Sequence, residues 1–194
     1  VQALLGAGAA VDEPDRLART PLWLAALHGH CRCIRLLLAA GARVNTANVL
    51  GQGPLHSAAI GAQTEPVALL LAAGAAIDAA DRLGFTALHF VAGQDGRGSA
   101  LQQLLQAGAA VSPRDRNGST PLWLAACFNC IDKLRQLLEA GASVCEADEQ
   151  GRTPLHIAAL KAGACLLRSR RGWPRLQTIL LGLASDAMLP LNCL

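Results

Sequence analysis

Apolar residues along the chain fall into two alternating kinds of segment. One kind opens on a small residue and a proline and then carries leucine and alanine pairs, as in Thr20-Pro21-Leu22-Trp23-Leu24-Ala25-Ala26. A threonine hydroxyl accepts from free N–H groups of a first helical turn, and proline at the first helical position sacrifices no hydrogen bond, so a helix is predicted to start at Pro21. Its alanine pair keeps it thin enough for close packing. The other kind carries Ile34, Leu36, Leu37 and Leu38, apolar around most of a helical circumference, as a helix with neighbours on both sides requires. It closes on Gly41, which can take the left-handed conformation without a Cβ penalty. Beyond it the chain runs extended through Val44 and turns between Asn45 and Gly51, where Asx residues and glycine suit a tight loop.

This unit recurs. "RTPLWLAALHGHCRCIRLLLAAGARVN" (19–45) returns as "QGPLHSAAIGAQTEPVALLLAAGAAID" (52–78), "FTALHFVAGQDGRGSALQQLLQAGAAVS" (85–112) and "STPLWLAACFNCIDKLRQLLEAGASVC" (119–145). The closing glycines stand at 8, 41, 74, 108 and 141, so the period is 33 residues with one single-residue insertion. The predicted fold is an all-α solenoid of stacked helix-turn-helix units with projecting β-hairpin-like loops.

Composition agrees with close helical packing. Of the 194 residues, 52% are hydrophobic, 16% charged and 3% aromatic, which argues against a disordered chain. No apolar run approaches the 18 or more residues of a membrane span. Residues 1–159 carry 12 basic against 13 acidic side chains, whereas residues 160–194 carry 5 against 1. A neutral body offers a phosphate backbone little attraction, so nucleic acid is not the expected partner. Seven cysteines at irregular spacing suggest reduced thiols, and the expected location is intracellular, cytoplasmic or nuclear. The chain starts within a helix at Val1, without methionine, and is expected to continue upstream, leaving Val1, Leu4 and Leu5 at an apolar edge.

The copies resemble the ankyrin repeat, whose pattern runs Asp-x-x-Gly-x-Thr-Pro-Leu-His-x-Ala-Ala, then Gly-His, then a leucine-rich helix ending in Gly-Ala. The resemblance covers about residues 1 to 159. It divides the chain into the second-helix end of a truncated repeat (1–14), repeats at 15–47, 48–80, 81–114 (with the insertion) and 115–147, the start of a degenerate repeat (148–163) and a divergent basic tail (164–194). Gly53 replaces the capping threonine of the second repeat and Ala87 the proline of the third, while "GQDGRGS" (93–99) lengthens the third inter-helix turn. The third repeat is therefore expected to be the loosest. The tail admits two readings, a fifth repeat with about nine inserted residues or an unrelated end; in either, a helix near 173–184 is expected to pack on the last repeat.

Several clusters mimic chemistry. "LHGHCRC" (27–33) suggests zinc, but Cys31 and Cys33 lie two apart on a helix, about 200° around its axis, and cannot share one ion. "CFNC" (127–130) has the gap of a zinc or redox pair without a second pair or a thioredoxin-like context. Cys145 adjoins Glu146, and a neighbouring carboxylate disfavours the thiolate. His56, His89 and His156 occupy one place in their repeats, on separate layers about 10 Å apart, too far for a shared metal. The resemblance assigns that place to buried hydrogen bonds, and Trp23 and Trp123 there are expected to pack. Walker, Rossmann and HExxH motifs are missing, so neither enzymatic activity, a cofactor nor a metal is expected.

The resemblance implies a protein partner bound by finger tips and the concave side of the first helices, positions that stacking leaves free. Carried over by register, these are Arg16, Leu17, Arg19, Leu27 and His28 in the first repeat and Val49, Leu50, Gln52 and Ile60 in the second. The third contributes Arg82, Leu83, Phe85 and Gln94, and the fourth Arg116, Asn117, Ser119, Cys127 and Phe128. Mixed arginine, aliphatic and aromatic character suits an interface with a partly acidic protein. The expected function is a non-enzymatic scaffold or adaptor. "TPLWLAA" also resembles ankyrin and SOCS-box ubiquitin-ligase adaptors, which need a C-terminal Leu-x-x-x-Cys helix for Elongin. Here "MLPLNCL" offers Leu189 and Cys193 interrupted by Pro190, which should break that helix, so Elongin binding is not expected. A third reading, regulation of a nuclear or transcriptional partner, rests on the basic run "RSRRG" (168–172).

Overall fold

A computed structural model describes residues 1–94 and 100–165. Most of the expected insertion in 93–99, the helix near 173–184, the RSRRG run and the MLPLNCL end lie outside the described residues. Within them are ten helices and no strand: α1 (Gln2–Gly6), α2 (Pro21–Leu27), α3 (Cys31–Ala39), α4 (Pro54–Ile60), α5 (Thr64–Ala72), α6 (Ala87–Ala92), α7 (Ala100–Gln106), α8 (Pro121–Cys127), α9 (Ile131–Glu139) and α10 (Pro154–Cys165). First helices α2, α4, α6, α8 and α10 pack in sequence as one row, and second helices α3, α5, α7 and α9 form the other.

Local chemistry sets the helix ends. Pro21, Pro54, Pro121 and Pro154 each open a first helix, and the hydroxyls of Thr20 and Thr120 accept from the backbone N–H of Trp23 and Trp123, both at 3.2 Å. Gly53 has no hydroxyl to offer; the ring of His56 folds back as the histidines of the third and fifth repeats do beside a threonine, its Nδ1 accepting from the Gly53 N–H at 3.2 Å. The five closing glycines all have left-handed backbone, with φ between 83° and 89°.

Between the rows lies one apolar core. Leu22, Leu55, Leu88 and Leu122 from the first helices meet Ile34, Leu37, Val67, Leu70, Leu101, Leu104 and Leu137 from the second, all at most 4% exposed. Each contributes about 2 kcal/mol of transfer free energy. Lys133 is buried at a place where other repeats have Cys33, Pro66 and Ala100, an outcome with no warning in the repeat pattern.

Two alanines stand where repeats elsewhere use glycine. Ala18, at φ 56°, matches Gly51, Gly84, Gly118 and Gly151, and Ala62, at φ 53°, matches Gly29. A left-handed alanine costs about 1 kcal/mol or more. Ala18→Gly and Ala62→Gly should each therefore raise stability by about 1 kcal/mol in urea unfolding; a lowered midpoint would contradict the left-handed assignment.

Candidate functional site

Five finger loops are built alike, from one acceptor and two amides. The Asp15 Oδ1 accepts from the N–H groups of Leu17 and Arg19, both at 2.9 Å. Asn48, Asp81, Asp115 and Asp148 do the same for the residues two and four places later, at 2.7 to 3.0 Å. Each finger then bonds the next across its tip: Val49 N–H to Leu17 O at 3.1 Å, Arg82 to Leu50 at 2.9 Å, Arg116 to Leu83 at 3.0 Å and Glu149 to Asn117 at 2.9 Å. Loops without strands thus form a continuous hydrogen-bonded edge. Such an edge has little conformational freedom left to lose.

A second ladder runs beneath the tips. The Trp23 indole N–H donates to Gln52 O at 3.1 Å. His56 and His89 accept at Nδ1 from the N–H groups of Gly53 and Thr86, which leaves Nε2 to donate to Phe85 O at 3.1 Å and Ser119 O at 3.2 Å. Burial pushes both histidines below their ordinary value, His89 to about 4, against the opposing pull of Asp81. At the base of the fingers Asp12, Asn45 and Asp78 accept from the N–H groups of Arg43, Ala76 and Ala110 in the following repeat.

These ladders decide which expected contact residues reach solvent. Arg16, Leu17, His28, Val49, Arg82, Leu83, Arg116 and Asn117 are exposed, with Leu17 at 43%, Val49 at 40% and Leu83 at 61%. Leu27, Leu50, Ile60 and Phe128 are half-buried, and the half-buried Gln94 donates from Nε2 to Ile60 O at 3.0 Å. Arg19 turns inward: it pairs with Asp15 at 2.6 Å and lies 5.6 Å from the centre of the Trp23 ring. Phe85, half-buried, leans on the rings of His89 and Phe90, with centroids 5.3 and 5.4 Å away.

Three residues leave the expected face. Gln52 is buried because its amide donates to Asp81 Oδ2 of the next finger at 3.1 Å. Ser119 is buried between the Asp115 acceptor below its N–H and the His89 donor at its carbonyl. Cys127 is buried on α8 in a small cluster with Trp123, Leu124 and Ile157. Conversely, the expected face omits the exposed tip residues Glu149 and Gln150, although "DEQGRTPLH" (148–156) carries the same finger signal.

Most of the remaining thiol, amine and indole groups sit in packed surroundings, with Cys145 exposed. Burial, and then Glu65, push the Cys31 thiol up, the wrong direction for a nucleophile. Among the described residues no group of three or more His, Cys, Asp or Glu is placed to hold a metal ion. Burial lowers the pKa of Lys133. Trp23 and Trp123 are 3% and 7% exposed, and Arg152 covers the Trp123 ring at 5.6 Å as Arg19 covers Trp23. Among the described residues no helix is long and apolar enough to cross a membrane.

Paired helices, left-handed closing glycines and laterally bonded fingers define the class: a helical repeat solenoid with a continuous hydrogen-bonded edge. The family model for ankyrin repeats (3 copies) matches residues 1–81, 59–148 and 88–168, and the chain belongs to the ankyrin-repeat family. Ankyrin repeats generally mediate protein–protein interaction and are typically non-enzymatic. No curated protein matches the chain.

Proposed function

We propose that this chain is a scaffold or adaptor that holds a protein partner along its finger tips and the adjoining ends of its first helices. The observation that carries this reading is the row of exposed aliphatic side chains, Leu17, Val49 and Leu83, on a backbone fixed by tip-to-tip hydrogen bonds. A large side chain left in water on a rigid edge contributes more to association than to folding. Arg16, Arg82 and Arg116 flank that row. They suit a partner with acidic groups beside its apolar contacts, with Glu149 reversing the sign at the fifth finger. Leu27, His28, Ile60, Gln94 and Phe128 form the helix-end border of the face.

Charge reversal tests the partner's acidic character. Arg16→Glu/Arg82→Glu/Arg116→Glu should slow association and abolish most of its salt dependence while circular dichroism stays unchanged; equal capture by both forms at low salt would refute an acidic partner. The finer reading as a ubiquitin-ligase substrate receptor rests on the "TPLWLAA" resemblance. Recovery of Elongin B and C with the full chain would support it, and their absence from a complex that still holds its partner would count against it. Nuclear regulation rests on the RSRRG run alone, and its test is nuclear import after deletion of that run.

A further inference from the structure

The fifth repeat lacks a cover that its four predecessors have. Leu22, Leu55, Leu88 and Leu122 hold one place in their repeats and are 0%, 4%, 1% and 2% exposed; their counterpart Leu155 is 76% exposed. On the neighbouring helix α9, Leu134 is half-buried where Ile34, Val67 and Leu101 are fully buried, and Ile131 and Leu138 are 55% and 45% exposed. This is the footprint of one missing second helix. In earlier repeats two apolar residues three places apart fill it, as Ile34 and Leu37, Val67 and Leu70, or Leu101 and Leu104 do.

That second helix cannot follow α10 at the usual place. Other first helices end after six or seven residues, two of them at the left-handed residues Gly29 and Ala62 and a third at Asn129, whereas α10 runs for 12 through the matching position, Ala162. Further along, "RLQTILLGL" (175–183) restores an apolar pair three apart, Leu176 and Ile179, followed by Leu180 in the place of Leu138. The nine residues 166–174 span up to about 30 Å when extended, and returning along the whole of α10 takes about 18 Å. Charge also fits: the tail carries Arg168, Arg170, Arg171 and Arg175, and α9 of the fourth repeat exposes Asp132 and Glu139 beside one basic residue, Arg135.

We infer that residues 175–183 of this same chain dock on this face as the second helix of the fifth repeat. Leu176 and Ile179 take the slots that Leu134 and Leu137 hold in the fourth, and Leu155 is covered. The long connection, with its basic run, is then an insertion between the two helices of one repeat. This face lies at the end of the stack and is independent of the finger-tip reading.

Photo-crosslinking in the full 194-residue chain tests the docking. With p-benzoylphenylalanine in place of Leu155, irradiation of dilute protein followed by trypsin should join the peptide containing residue 155 to peptide 176–194 of the same chain. Leu176→Asp/Ile179→Asp should cut that yield about tenfold or more, as expected when two buried aliphatic contacts are lost. Isotopically mixed chains distinguish the alternatives. Crosslinks chiefly between two copies would overturn the proposal in favour of self-association, and no crosslink to peptide 176–194 would overturn it outright. The same probe at Ile131, on the rim of this face and outside the slot that Leu155 fills, should join its peptide to 176–194 as well, so the wild-type tail decides the matter even if the larger side chain at 155 blocks docking or the double variant folds poorly.

Discussion

Acidification from pH 7 to pH 4 should remove about 3 kcal/mol of stability through His89 alone. Burial holds this histidine at about 4 in the folded state, against an ordinary value of 6.5. Its contribution is present in full above pH 6.5 and is lost as pH falls towards 4, because the unfolded chain takes up the proton first. Loss of hydration explains why the folded state resists: it outweighs the Ser119 carbonyl and the Asp81 carboxylate, both of which favour the charged ring. In the neutral ring Nδ1 accepts from Thr86 N–H and Nε2 donates to Ser119 O. Other groups titrate too: burial lowers His56 and raises Asp115. The difference between wild type and His89→Ala therefore isolates this residue. At pH 7 the variant should be about 3–5 kcal/mol less stable, from two stranded backbone groups and a cavity. By pH 4 the gap should shrink by about 3 kcal/mol, measured by urea unfolding across the range. A gap that stays constant with pH would rule out a neutral, doubly bonded imidazole.

Gly84→Val should cost about 3 kcal/mol or more and weaken partner capture with it. Two penalties combine at this position. Its φ of 84° is left-handed, and a Cβ there would sit 2.9 Å from Arg116 N and 3.0 Å from Asp115 Cα. Backbone cannot swing aside as a side chain can, so the third and fourth fingers must part. The Arg116 N–H bond to Leu83 O would be lost, and with it the alignment of the tip row. Gly74 separates the two terms: at φ 83° its Cβ position has nothing within 4 Å. Gly74→Ala should cost only the conformational penalty of about 1–2 kcal/mol. Urea unfolding gives both differences, and hydrogen exchange at the Arg116 amide reports the parting directly. Equal losses at the two sites would show that the fingers are not tightly apposed.

Much of this architecture was legible because the repeat uses residues with little conformational choice. Proline at 21, 54, 121 and 154 marks helix starts, and glycine at 8, 41, 74, 108 and 141 marks their ends, so period and register follow from few letters. Side-chain direction within a finger was harder. Arg19, Gln52, Phe85, Ser119 and Arg152 share one register position, yet Gln52 reaches Asp81 of the next finger, Arg152 covers Trp123, and Ser119 is too short to emerge. The outcomes at Gln52 and Arg152 each depend on a residue about 30 places away. A partial cue existed for the Gln52 backbone alone: the buried Trp23 indole N–H takes its carbonyl one repeat later, whereas the buried Trp123 indole N–H takes none among the described residues. Cys127 was misplaced because only its neighbour Phe128 begins to emerge at the end of α8. For buried Lys133 the sequence held no comparable cue.

Recruitment of a protein by the tip row, as proposed above, is open to a direct test. Leu17 and Leu83 are the sites to test it, since Leu50 and Phe128 are half-buried and their replacement would confound folding with binding. Leu17→Asp/Leu83→Asp should leave circular dichroism and the melting temperature unchanged. Quantitative pull-down against wild type, with Ala68→Asp on the exposed side of α5 as control, then gives the decisive comparison. The account predicts that proteins captured by wild type and by the Ala68 variant are lost from the tip variant. Undiminished capture by a folded tip variant would contradict it.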